Sequence, residues 1–438
     1  MIPKRKKSLY EGRETALSSP IEGHLSPKSY LLEGFLLSLW ENLFIYLMVD
    51  TILYQYMTEM LRQTTEKHFR YLYKEIDWNA RLVGIVGPRG VGKSTMLRQH
   101  IKSQPDRGKM LYVSADYVYF NTHTLIYLAD ELVKDGGTHL FIDEIHKYKN
   151  WSQELKQIYD VHPELHVVYT GSSILDIYGG LADLSRRTLL YYMQGLSFRE
   201  YLLIRHEISV PVYSLDDIVN NRVGIPELPH PLPLFREYLA KGYYPFSDEP
   251  GFELRVNQMV QQTIESDIAQ YADLKPATAR KLKQMLGVVA GLAPYKPNLD
   301  NLSKEVGVSK NNVTDYLTYL EKAGLLGLLR DDTSGMRQLG KIEKVYVDNP
   351  NLTTVLSGDN PNIGNIRETF FFNQMRLRNN LRSSRVSDFF IAPYTFEVGG
   401  KNKGKKQIET VDNGRIVKDD IETGHGIVVP LWTFGLNY

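Results

Sequence analysis

Eight residues constrain this chain more than any others: Gly87-Pro88-Arg89-Gly90-Val91-Gly92-Lys93-Ser94. Their spacing is G-x-x-x-x-G-K-[ST], in which the glycines let consecutive backbone N–H groups turn toward one phosphate. Lys93 is placed to reach the β- and γ-phosphates and the Ser94 hydroxyl to ligate Mg²⁺, while the helix that starts here adds its positive end. Gly87 through Ser94, with Thr95, are the candidate nucleotide-binding residues. Such a loop works only between a strand and a helix. The apolar run Leu82-Val83-Gly84-Ile85-Val86 precedes it and Ser94-Thr95-Met96-Leu97-Arg98-Gln99 follows it.

Similar apolar runs recur at Met110–Val113, His139–Ile142 and His166–Tyr169, with helical stretches between them. Near-continuous apolar strands alternating with helices specify a parallel sheet covered on both faces. Residues 54–77 carry apolar side chains every three and four positions, which predicts one amphipathic helix ahead of the sheet.

Asp143 and Glu144 end the third run. A parallel strand delivers its C-terminal residues to the ligand edge. Asp143 is thus a candidate Mg²⁺ ligand and Glu144 a candidate base for the attacking water. His146 is either a second base or a surface histidine, and Trp151 packs the helix that follows. The fourth run ends in Thr170-Gly171-Ser172-Ser173. Ser172 and Thr170 are candidates to sense the γ-phosphate; the alternative is a helix N-cap at Ser172 or Ser173. Arg186 and Arg187 are candidates for the cation that γ-phosphate transfer needs, in cis or on a neighbouring subunit. A solvated helix face is the bland alternative for that pair.

The combination GPRGVGKST, LFIDEIHKYKNW, VVYTGSS, GLSFREYL, FREYLAKGYYPF and FEVGGKNKGKKQI resembles the predicted AAA+-superfamily ATPases of bacteria and archaea that carry a winged-helix segment and a restriction-endonuclease-like C-terminal domain. The resemblance runs from about Asp50 to the end. It implies ATP and Mg²⁺ as cofactors, ATP hydrolysis by the residues named, and little about biological role. The expected fold is α/β: a P-loop NTPase parallel sheet with helices on both faces, then a helical and winged-helix segment, then a small α+β endonuclease-like domain. The expected boundaries are an extension over 1–50, the ATPase domain over 51–205, a linker and helical region over 206–290, the winged-helix segment over 291–335 and the endonuclease-like domain over 336–438.

Leu299–Leu329 fits a helix-turn-helix, with Gly307-Val308-Ser309 at the turn and Ser309 capping the second helix. That helix leads with Lys310, Asn311 and Asn312, but Asp315 and Glu321 offset the charge, so DNA contact and plain packing both stay open. Glu368, Asp388 and Glu397 look similar to the acidic positions of PD-(D/E)xK nucleases. The lysine expected two residues after Glu397 is Gly399, which leaves Lys401 as the substitute and implies a degenerate site. The run Lys401, Lys403, Lys405 and Lys406 is a second candidate contact for phosphate backbone.

Composition closes some routes. The chain has 438 residues, no cysteine and a formal charge of +1, from 52 Lys+Arg against 51 Asp+Glu. Disulfides and thiol chemistry are excluded, and a global basic field for nucleic acid is absent. Residues 31–48 are apolar and long enough to span a membrane, but Glu33 and Glu41 are costly there. A flexible extension or an amphipathic helix packing on the body is expected there instead; the resemblance, which begins near Asp50, implies that residues 1–47 come from a start placed too far upstream, and no membrane contact is expected. The resulting expectation is a cytoplasmic ATPase, possible as a homo-oligomer. The competing readings are an ATP-regulated DNA-binding or nuclease protein and a nucleotide-gated interaction module.

Overall fold

The computed structural model describes residues 51–171, 184, 186–269, 272, 274–331, 341–358, 362–404 and 406–438. The N-terminal extension, Ser172 and Lys405 lie outside them. Tyr54–Tyr438 form one contact unit. No helix among the described residues is long and apolar enough to cross a membrane.

Five strands make the first sheet: β1 (Leu82–Val86), β2 (Met110–Ser114), β3 (His139–Asp143), β4 (His166–Gly171) and β5 (Leu189–Tyr192). Their order is β2-β3-β4-β1-β5, and every pairing is parallel. Side chains alternate between faces along a strand. Val83, Ile85, Tyr112, Phe141 and Val168 pack on one face with Met57 and Leu61 of α1 (residues 54–62) and Met96, Leu97 and Ile101 of α2 (Lys93–Ser103). On the other face Tyr169 meets Trp151, the first residue of α4 (Trp151–Val161), with ring centroids 5.8 Å apart. The remaining crossover helix is α3 (Leu125–Lys134), capped by the Thr124 hydroxyl. The sheet expected from the apolar runs is present, with helices flanking it.

The helix expected over 54–77 stops at 62. Beyond it, side chains of α2 take the backbone carbonyls that a helix would use internally. Gln99 donates to the carbonyls of Thr65 and His68, and Lys102 to that of Thr64. The extended segment then delivers Arg70, 6% exposed, to Glu200 at 2.8 Å. Glu200 also closes a capping box with Ser197 at the start of α5 (Phe198–His206).

After α5 the cores no longer follow chain order. Residues 209–234, expected to be a linker, bury Val210, Ile218, Val219 and Leu228. These join α5, α6 (Leu215–Val219) and α7 (Leu232–Glu237) to a C-terminal core. A second core is built by α8 (Phe252–Gln262), α9 (Pro276–Leu292), α10 (Leu299–Val306), α11 (Lys310–Lys322) and the antiparallel pair β6 (Leu326–Arg330) and β7 (Ile342–Val347). A π-helical turn, Thr263–Ile268, continues α8. Gly307 turns α10 into α11 at φ 67°, and the Ser309 hydroxyl accepts from the Asn312 N–H, as the sequence indicates.

The boundary expected at 335 lies outside the described residues, between β6 and β7; β7 pairs with β6 while Tyr346 on its other face packs in the C-terminal core. α12 (Pro350–Leu356) packs in the second core through Leu352, whereas the C-terminal core holds α13 (Ile363–Met375) and a mixed sheet of order β12-β11-β10-β9-β8. The strands are β8 (Arg382–Ser383), β9 (Phe389–Ile391), β10 (Tyr394–Gly399), β11 (Gly414–Lys418) and β12 (Val428–Pro430).

Candidate functional site

The strand order decides which groups meet. β4 lies between β1, which carries the phosphate loop, and β3, which carries the acidic pair. Thr170 near the end of β4 therefore stands between loop and acids. Its hydroxyl donates to the Asp143 carboxylate and accepts the Glu144 N–H at 3.1 Å. Tyr112, at 2.8 Å, donates to the other Asp143 oxygen. Asp143 is thus held from two neighbouring strands. Thr170 fixes both carboxylate-bearing residues; of the two hydroxyls singled out for this strand, only Thr170 is described.

Glu144 sits in the left-handed region at φ 51°, a conformation that costs a non-glycine residue energy and clusters at functional sites. The turn aims its carboxylate toward the loop, 3.6 Å from Arg89 and 3.5 Å from His146. His146 is buried, not a surface residue, and burial pushes its pKa down to about 3. It is neutral at physiological pH.

The loop turns into α2 at Gly92, whose φ of 99° only glycine adopts without strain. Lys93 is 5% exposed, and its ammonium donates to the carbonyls of Gly87 and Pro88 at 2.8 and 2.7 Å. Burial lowers its pKa to about 8, against the opposing pull of Glu144 and Asp143. Ser94 and Thr95 follow in the first turn of α2. Val91 is fully buried and its carbonyl accepts from Arg70, which ties the loop to the Arg70–Glu200 pair.

Arg89 is drawn away from α2. Its guanidinium forks onto Asp267 in the π-helical turn, Nε to Oδ2 at 2.7 Å and Nη2 to Oδ1 at 3.0 Å. Lys147 donates to the same carboxylate at 3.0 Å. Neither Asp267 nor Lys147 is marked by a local motif.

Arg187 is elsewhere. It forks onto Asp160 at 3.0 Å for both bonds, beside the Tyr159 ring. The Tyr159 carbonyl is bonded by Arg81, immediately before β1. The phosphate loop leaves the other end of that strand, about 16 Å away for five residues. Arg187 therefore cannot serve the nucleotide of its own chain from this position. Arg186 is exposed.

Of the acids expected in one nuclease-like site, Glu368 on α13 and Asp388 just before β9 share one cation, while Glu397 on β10 has another. Lys344 of β7 bridges Glu368 at 3.2 Å and Asp388 at 2.9 Å. Lys403 pairs with Glu397, its stem lying over Gly399, where a Cβ would be 2.6 Å from Lys403 Cδ. Lys401 is exposed and offers only its carbonyl, to Lys418. Lys401 is thus not the replacement lysine, because the backbone after Gly399 brings Lys403 back across the strand instead. Burial and the nearby Asp388 raise the Glu368 pKa.

Residues 79–202 match a family model described as an AAA domain. Residues 232–362 match one described as a domain of unknown function (DUF8612). An uncharacterized protein of Methanocaldococcus jannaschii is 24% identical over 309 residues, 66% of this chain and 63% of that protein. The chain thus spans less than two thirds of the length of that relative. Among solved structures, a Walker-type ATPase of Pyrococcus abyssi is similar at 14% identity and TM-score 0.40, over 65% of this chain and 93% of its own. AMPPCP-bound DnaA from Aquifex aeolicus is similar at 13% identity and TM-score 0.23, over 61% and 87%. With its all-parallel sheet, its phosphate loop and its acidic strand end, the segment 79–202 is similar to an AAA-type P-loop domain.

Proposed function

We propose that the chain binds ATP and hydrolyses it at the β1–β3–β4 edge. The observation that carries this reading is Thr170, which joins Asp143 and Glu144 beside the phosphate loop. Lys93 meets the β- and γ-phosphates once it exchanges the loop carbonyls for phosphate oxygens. Glu144 orients and deprotonates the attacking water. Ser94 and Asp143 hold Mg²⁺, which supplies charge neutralisation when bound. Their hydroxyl and carboxylate oxygens are the hard donors this ion takes. Among the described residues no group of three or more His, Cys, Asp or Glu could hold a metal unaided. That fits an ion which relies on one carboxylate plus phosphate oxygens.

The energy of hydrolysis is read as passing to the α8–α11 layer, taken here as a winged-helix type of element, and to the C-terminal sheet, taken as endonuclease-like. DNA is the weaker partner reading: Lys310 is paired with Asp300, and Lys403 with Glu397. Because Arg187 is engaged at Asp160, any arginine finger comes from Arg186 or from a neighbouring copy in a homo-oligomer.

Glu144→Gln tests the central claim. The amide keeps shape and hydrogen bonding but cannot act as base, so ATP should stay bound while kcat falls by roughly 10²–10⁴. Steady-state turnover with and without double-stranded DNA, beside equilibrium binding of an ATP analogue, reads both. Wild-type kcat in the variant would refute the assignment. Turnover that appears only with DNA would favour the ATP-regulated DNA-binding reading.

A further inference from the structure

Asp267 is a carboxylate planted at the nucleotide site by an element far along the chain. It is 1% exposed, yet it makes its contacts with the phosphate loop and the β3 turn: Arg89 through two bonds, Lys147 through one, and His146 Nε2 at 3.9 Å. Lys147 also reaches the neighbouring Ser266 hydroxyl at 3.0 Å. The same layer touches the loop at two more points. A Cβ at Gly90 would lie 2.7 Å from the Phe246 ring, and one at Gly324 would lie 2.6 Å from Pro88. Loop and layer are in direct apposition, and Asp267 is the charged member of that contact.

Three physical points indicate more than a structural ion pair. A planar guanidinium fork takes carboxylate or phosphate oxygens with the same geometry, so Arg89 now holds a group shaped like a ligand. Burying such a cluster is no efficient route to stability, since desolvation consumes most of the Coulomb gain. Asp267 also rides on a π-helical turn, Thr263–Ile268, a local departure frequent at functional sites. The balance of charge points the same way. Lys93, Arg89 and Lys147 face Asp143, Glu144 and Asp267, three cations against three carboxylates. A triphosphate brings further negative charge even with one divalent cation bound. Asp267 is the only one of those carboxylates without a proposed part in metal binding or water activation.

Resting on the ATPase reading above, we propose that Asp267 is an internal stand-in for the γ-phosphate. It holds Arg89 and Lys147 while the third phosphate is absent. A nucleoside triphosphate takes both cations and expels it, and a diphosphate leaves it in place. Arg89 and Lys147 are then the γ-phosphate cations that Arg187 cannot be in cis. Expulsion of Asp267 detaches the α8 end from the loop, which makes the presence of the third phosphate legible to the second layer.

The test uses the full chain with ATPγS and ADP. In Asp267→Asn the competing charge is gone, so ATPγS should bind about 10-fold tighter, or about 1.4 kcal/mol, with ADP affinity changed by less than about 2-fold on the same scale. In the wild type, ATPγS but not ADP should speed amide hydrogen exchange across 252–268. Equal loss of affinity for both nucleotides in the variant would mark a structural ion pair and overturn the proposal. So would wild-type exchange that is the same with both nucleotides, and this arm decides alone if the variant does not fold. A wild type that binds neither nucleotide would sink the ATPase reading and Asp267's role with it. ATPγS binding without the predicted difference sinks only the latter.

Discussion

At the residue scale the site is a set of charges held in unusual states by burial. Lys93 shows the consequence most directly. Its pKa is lowered to about 8 by burial in the nucleotide-free chain. Phosphate oxygens favour the ammonium form, so bound nucleotide raises that pKa again. Below about pH 8 the cation is present in both states and affinity is flat. Above it, binding must take up a proton, and affinity should fall by up to about 10-fold per pH unit. Titration calorimetry at pH 9 in buffers of different ionisation enthalpy should reveal this uptake, and a pH-independent affinity from 7 to 9.5 would contradict it. The residues found from sequence alone share one property: local chemistry fixes their spacing. Gly87–Ser94 must be contiguous to wrap a phosphate, and Asp143-Glu144 must end a strand. Asp267 and Lys147 escape such reading because their partnership spans 120 residues and leaves no local trace. A single aspartate in an amphipathic helix looks like a solvated face.

At the element scale, periodicity located the strands well because each is buried on both sides. It failed where side chains substitute for helical hydrogen bonds, as beyond residue 62. It also missed Lys344, which follows Glu343 in the strand Ile342–Val347. Glu368, Asp388 and Glu397 are therefore each ion-paired with a lysine. The ammonium of Lys344 lies between Glu368 and Asp388, where a divalent cation would have to go, and these carboxylates hold its pKa above the ordinary value despite burial. Lys403 occupies Glu397. We predict no cleavage of DNA or RNA with Mg²⁺ or Mn²⁺, with or without ATP, in a gel assay. Cleavage that disappears in Glu397→Ala would reverse this conclusion.

At the scale of the whole molecule, the segments do not divide as a string of beads. Phe198, Tyr201 and Leu202 of α5 belong to the same core as Phe370, Phe371 and Phe434, more than 160 residues later. A chain of residues 51–205, which the expected boundaries would make self-sufficient, leaves those three side chains uncovered. Each costs about 1.5–3 kcal/mol of lost burial. We predict that this fragment aggregates or runs as an expanded species in size-exclusion chromatography, whereas 54–438 runs as a folded protein. A monodisperse, cooperatively melting fragment would show that the shared core is dispensable.

The strand β7 gives this arrangement a mechanical character. Val345 and Val347 point into the core of the α8–α11 layer, while Tyr346 between them points into the core of the C-terminal sheet and Lys344 reaches its acids. One ribbon is a party wall with a room on each side. A displacement of the layer cannot be absorbed by sliding at that wall, because sliding by one residue would turn valines into the aromatic room and the tyrosine into the aliphatic one. The two rooms share that wall, so a displacement of the α8–α11 layer is expected to carry the C-terminal sheet with it.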